Sequence, residues 1–206
     1  MALFVEVNLS SPDDRIIADI VKVLNKGGVI IYPTDTVYAL GCSLMHKRAI
    51  ESLAKLKNLK LKKANFALIC YDLSTLSEYT KYIDRPTYKI LNKNLPGPFT
   101  FILPASTRIP KLFDSNKKTV GIRIPDSDLV RRIVLELGHP LVTTSIHDDD
   151  EILEYSTDPY AIQEKWENKV DMIVDGGYGK NEPSTVVDCS EGDVEIIRQG
   201  IGELLY

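Results

Sequence analysis

Thr34, Asp35 and Thr36 follow directly on the apolar run of GGVIIYP, so hydrogen-bonding groups stand where a buried strand ends. If YPTDTVY is extended, Thr34 and Thr36 project together, and their hydroxyls either hold a small polar ligand or satisfy turn backbone. TVGIRIP raises the same question with a charge: Val120, Ile122 and Ile124 share one side of a strand, leaving Gly121 and Arg123 on the other. A guanidinium among apolar residues needs an anion, either a ligand or one of the chain's own 29 acids. Arg198 in VEIIRQG, on a side shared with Val194 and Ile196, has the same two readings. Thr100 in PGPFTFIL lies opposite Phe99 and Phe101, while Thr143, Thr144 and Ser145 finish a strand before an irregular segment, a common place for ligands.

A denser cluster, KLKNLKLKK, carries Lys55, Lys57, Lys60, Lys62 and Lys63 at a helix end. Such a run is ordinarily a solvated face; beside a pocket it would hold a polyphosphate or an RNA backbone, each lysine acting as a point charge. Other chemistries lack their residues. The chain has no G-x-x-x-x-G-K-[ST] loop, G-x-G-x-x-G fingerprint or G-x-S-x-G elbow, which argues against a P-loop, a standard dinucleotide site and a hydrolase serine. Cys42, Cys70 and Cys189 are odd in number and far apart in apolar surroundings, like buried free thiols; neither they nor His46, His139 and His147 show zinc spacing. DDDE at 148–151 reads as a solvated acidic loop, with magnesium chelation as its alternative.

The elements that must position these groups are legible in outline. SSPDDRIIADIVKVLNKGG predicts a helix with Ser11 as N-cap, Pro12 at its first position, apolar residues at helical spacing and a stop at Gly27 and Gly28. VIIYP and TVYALG are short strands broken by Pro33, KRAIESLAKLK is a second helix, and FALIC is a buried strand. Helices at about 73–82 and 85–94 precede the consecutive strands PGPFTFIL and KTVGIRIP. A helix over about 127–137, the strand PLVTTS, the helix DPYAIQEKWENK, the strand VDMIVDGG and a strand pair from STVVDC and DVEIIRQG complete the order. Adjacent strands interrupt the helices, which predicts an α+β fold on a mixed sheet over a doubly wound one.

At 206 residues the chain is long enough for one domain, 1–206, and no apolar run approaches the roughly 18 residues of a membrane span. Nothing in MALFVEVNLSSPDD marks the chain for export, so the expected place is the cytoplasm. A net charge of −4 argues against coating nucleic acid by bulk charge and leaves a local basic patch open.

Taken in order, YPTDTVYALG, PGPFTFILPA, TVGIRIP, PLVTTS, VDMIVDGG, PSTVVD and IIRQGIG resemble the YrdC/YciO family, with closer affinity to the YciO branch; the match runs from about Ser10 to Leu204. The resemblance implies a twisted mixed β-sheet with flanking helices around a large concave, cationic cavity lined by the Thr34 region. It also implies L-threonylcarbamoyladenylate synthase chemistry: threonine, bicarbonate and ATP, with magnesium, give threonylcarbamoyl-AMP and pyrophosphate for threonylcarbamoyladenosine formation on tRNA. By position, Thr34, Arg123 and Ser184 would bind threonine; Lys57, Thr100, Ser145 and Arg198 would bind the nucleotide; Lys57 and Arg123 would be catalytic.

There are departures from the family pattern. Leu59 stands for the arginine of Lys-x-Arg, His147 for the asparagine of Ser-x-Asn, Ile69 for a histidine, and Asp148 to Asp150 place negative charge where a triphosphate would approach. The alternative is a non-catalytic module of the YciO type that binds double-stranded RNA, tRNA or the ribosome through Lys55, Lys57, Lys60, Lys62 and Lys63. Oligomeric state has no trace in the residues.

Overall fold

Short runs rich in Val, Ile and Leu, punctuated by Gly, Pro or polar turns, enter one ten-stranded sheet. The computed structural model describes residues 1–61, 64–109, 118–146 and 156–206. Lys62, Lys63, His147 and Asp148 to Asp150 lie outside the described residues. Across the sheet the strands run β1 (Leu3–Glu6), β8 (Met172–Asp175), β2 (Val29–Tyr32), β3 (Ala39–Ser43), β7 (Leu141–Ser145), β4 (Ala67–Ile69), β6 (Thr119–Arg123), β5 (Phe99–Pro104), β9 (Thr185–Asp188) and β10 (Glu195–Arg198). Four neighbour pairs are parallel and five antiparallel, the expected mixed sheet. β9 and β10 form the expected pair. β1 was not foreseen; LFVE is four residues at a sheet edge, paired with β8 alone, and carries little periodicity of its own.

Six helices flank the sheet: α1 (Asp14–Asn25), α2 (Lys47–Leu56), α3 (Leu73–Tyr79), α4 (Arg85–Asn94), α5 (Asp128–Leu137) and α6 (Pro159–Trp166). α1 begins later than its sequence suggests. Asp13, not Ser11, is the N-cap, accepting from the Arg15 amide at 2.7 Å, so Pro12 falls outside the helix. α5 starts on Ser127 and ends at Gly138, whose φ of 75° is open to glycine at little steric cost.

Register divides the sheet into two faces. Val29, Cys42, Val142, Leu68, Ile122, Phe101 and Val187 form one row across seven strands, all in the core that α2, α3, α4 and α6 complete. On the opposite face Ile30, Tyr32, Ala39, Leu141 and Ile69 pack under Ile17, Ile20 and Leu24 of α1 and Leu129, Ile133 and Leu137 of α5. That cover stops short. Ala67, Gly121, Thr100, Ile102, Pro104, Val186 and Asp188 point to the same side but are only half-buried, so the sheet is sealed on one face and partly open on the other.

Candidate functional site

The half-open face collects the chemistry. Ala67, Gly121, Ile102 and Thr143 share one row; two residues along, on the same side, Arg123 of β6 and Thr100 of β5 lie next to each other, followed by Val186 and Arg198. Gly121 and Arg123 therefore do lie opposite Val120 and Ile122. Arg198 reaches this row through an irregularity in β10: Ile196 pairs with Val187 and Arg198 with Val186, so a bulge turns the arginine to the face opposite Ile196. Simple alternation had put both on one side. Three strand spacings separate Arg123 from Arg198, about 14 Å between backbones.

Arg123 is 7% exposed, and its Nη2 donates to Asp35 Oδ1 at 2.8 Å and to Thr36 Oγ1 at 3.1 Å. Of the two readings of this guanidinium, the structure has the internal ion pair. Both side chains are almost out of water, so solvent screens the attraction little. Asp35 Oδ2 accepts from the Asp126 amide at 3.1 Å, and Lys180 donates to the Asp35 carbonyl at 2.9 Å. The Arg123 Nε is also buried and has no hydrogen-bond partner among the described residues. Nη2 is thus engaged twice by the protein, while Nε is not engaged by any described residue.

Residues 33–38 are not extended as the expected side-by-side threonines required; the two hydroxyls meet instead across a turn. Thr34 Oγ1 accepts from the Thr36 amide at 3.0 Å and donates to the Val37 carbonyl at 2.8 Å, a turn held by its own side chain. Its remaining contact, 3.1 Å to Thr36 Oγ1, then has Thr36 as donor. Arg123, Thr36, Thr34 and the Val37 carbonyl form one chain of hydrogen bonds, polarised away from the cation. Nearby, Thr143 Oγ1 donates to the Leu40 carbonyl at 3.2 Å and accepts from Tyr32 at 2.6 Å. Burial pushes the Tyr32 phenol well above its usual range, and it stays a neutral donor.

At the other end of the row Thr100 Oγ1 and Ser184 Oγ are 2.8 Å apart, and Arg198 Nη2 donates to the Ser184 carbonyl at 2.9 Å. Thr100, Ser184 and Arg198 therefore meet. Ser145 is the half-buried last residue of β7, opposite Ala39, and belongs to the same face beyond Thr143. The lysines divide: Lys55 and Lys60 are exposed, while Lys57, the C-cap of α2, is half-buried. Asp35 was visible in the sequence but not assigned a role; its signal was an acid between two threonines at a strand end.

Among the described residues, no group of three or more His, Cys, Asp or Glu could hold a metal ion. No helix among them is long and apolar enough to cross a membrane. Cys42, Cys70 and Cys189 are free and buried, as their surroundings implied.

Against known proteins, the Sua5/YciO/YrdC family model, described as "Telomere recombination", matches residues 22–200. The uncharacterized protein YciO of Escherichia coli (strain K12) is 35% identical over 206 residues, covering 99% of this chain and 98% of its own. The crystal structure of E. coli YciO matches with a TM-score of 0.91 over 98% of each chain. A threonylcarbamoyl-AMP synthase of Coxiella burnetii (strain RSA 493) is 31% identical over 179 residues, 86% of this chain and 95% of its own. The crystal structure of P. abyssi Sua5 complexed with L-threonine has a TM-score of 0.87 at 21% identity, over 98% of this chain and 62% of that one, and shares the fold.

Proposed function

Because this chain belongs to the Sua5/YciO/YrdC family, we propose that its half-open sheet face binds ATP and threonine and makes threonylcarbamoyl-AMP. The observation that carries this reading is that Arg123, Thr100 and Arg198 share one row, with Ser184 bonded to Thr100 and Arg198 beside it, on a face that the helices cover only in part. A sealed sheet would have put apolar side chains there.

Threonine and bicarbonate supply a carbamate, whose oxygen attacks the α-phosphorus of ATP. The bond to the bridging oxygen of the β-phosphate breaks, and pyrophosphate carries away the electron pair. The protein's task is to align the reactants and offset charge on the leaving group. Arg123 takes the threonine carboxylate through Nε, the buried guanidinium nitrogen without a partner among the described residues, with Asp35 and Thr36 holding Nη2 in place. Thr34 and Ser184 complete that subsite, while Thr100, Ser145 and Arg198 hold the nucleotide. Lys57 brings a point charge to the phosphates. Magnesium enters with the triphosphate, whose oxygens are among its ligands in such sites. The product is an adenylate for transfer to tRNA.

The test is incubation of the pure protein with ATP, threonine, bicarbonate and magnesium, followed by mass spectrometry for the adenylate and an assay for pyrophosphate. Formation of both, and their loss in Arg123→Met, is the expected result. Absence of both at high protein concentration overturns the reading.

A further inference from the structure

Beyond β10 the segment 199–206 forms neither helix nor strand, yet polar groups fix it at both ends. At the near end is Thr185, the fully buried first residue of β9 and the neighbour of Ser184. Its Oγ1 donates to the Gly202 carbonyl at 2.7 Å and accepts from the Gly200 amide at 3.0 Å. Gln199 Nε2 donates to the same hydroxyl at 3.3 Å and to the Gly200 and Gly202 carbonyls at 2.8 Å. The Ile201 amide donates to the Pro183 carbonyl at 3.0 Å. A Cβ at Gly200 would run into the Pro183 and Ser184 carbonyl groups, and one at Gly202 into the Phe99 ring. The two glycines thus let this backbone lie directly on the peptide that carries Ser184 and on the side chain before Thr100.

At the far end Asn94, buried at the close of α4, donates from Nδ2 to the Leu205 carbonyl at 2.8 Å, and its Oδ1 accepts from the Leu205 amide at 2.9 Å. Lys93 donates to the Tyr206 carbonyl. A primary amide that meets both backbone groups of one residue pins it as a neighbouring strand would.

We propose that residues 199–206 are a strap that positions Ser184 and Arg198, with Thr185, Gln199 and Asn94 as its positioning residues. This rests on the assignment of Ser184 and Arg198 to the ligand face. The peptide at Ser184 is held on three sides: its hydroxyl by Thr100, its carbonyl by Arg198, and its backbone by Gly200 and Ile201 of the strap. Thr185 Oγ1 joins that peptide to the strap from inside. Removing the hydroxyl leaves the Gly200 amide without its partner and the Gly202 carbonyl with Gln199 alone, so the strap loosens where it touches Ser184.

The experiment compares Thr185→Val, which keeps the shape and deletes the hydroxyl, with Thr185→Ser, which restores it, in the full chain. Amide hydrogen exchange is read at 184–187 and 198–202, and KM and kcat are measured for threonine and ATP. The valine variant is expected to exchange faster in both segments, with α1 and α5 unchanged. It is also expected to raise the threonine KM about tenfold while kcat stays within about twofold, and serine reverses both effects. Gln199→Leu, at an exposed side chain, takes the place of the valine variant if that one does not fold. Unchanged exchange at 184–187, faster exchange with an unchanged KM, or no rescue by serine overturns the proposal. If the wild type turns over no threonine, the functional assignment fails by itself and the exchange arm decides whether the strap holds Ser184.

Discussion

The Arg123–Asp35 pair sets the energetics of the site. Taking two charges out of water is costly, and here the cost is offset by mutual attraction, by Thr36 and by the Asp126 amide. Asp35→Asn removes the counter-charge and leaves the guanidinium buried, so urea unfolding should show a loss of about 3 kcal/mol. Asp35→Leu combined with Arg123→Met should recover most of that stability while abolishing threonine binding, measured by calorimetry. A double variant as unstable as the single one would mean that packing, not the unpaired charge, sets the cost. That Arg123 needed an anion was legible from its place among apolar residues. Which anion was not, because the acid lies 88 residues away and spacing carries no information about such a meeting. Thr34 shows the same division: its hydroxyl satisfies turn backbone, which sequence allowed, and joins a chain from Arg123, which only the fold could bring together.

Elements were legible where periodicity ran long and obscure where one residue changed it. α1 and α5 announced themselves through apolar residues at helical spacing, and β6 through alternation. The bulge in β10 did not, since an inserted residue leaves composition untouched while moving Arg198 to the other face. At the start of α1 the carboxylate of Asp13, two residues on, takes the cap that the sequence assigned to Ser11. β6 offers a test of the half-open face. A Cβ at Gly121 would meet Thr100 Cγ2 at 3.3 Å and Ala67 Cβ at 3.6 Å, close but tolerable, and anything larger would stand up into the open row. Valine also suits a strand interior better than glycine does. Gly121→Val is therefore expected to fold with a melting temperature near that of the wild type and to lose ATP binding by calorimetry. Undiminished ATP affinity would place the nucleotide elsewhere.

For the whole molecule, the sheet has one sealed face and one partly open face, and the three thiols report on the first. Cys42, Cys70 and Cys189 all belong to the core on the sealed face, the first two with no exposure and Cys189 with 4%. Burial pushes the Cys42 thiol up to about 12 and Cys189, with Asp188 and Asp84 adding to it, up to about 11; Cys70 moves the same way. A folded thiol that holds its proton more tightly than an unfolded one contributes stability that is complete below its ordinary value of 9.0 and is lost as the pH rises through the folded value. Maleimide labelling at pH 8 should therefore require opening of the core. Cys42 and Cys70, in and beside adjoining parts of the sheet centre, should label at one common rate equal to global unfolding. Cys189 follows β9, one strand from the edge, and should label faster. Between pH 10 and 11 the thiols of the opened state are already largely ionised, 9.0 being their ordinary value, so further acceleration there measures the loss of folding stability itself. Peptide mass spectrometry resolves the three rates. Labelling of Cys42 at the rate of a free thiol would show that the sealed face opens locally, and the division of the sheet into a sealed and a half-open face would fail.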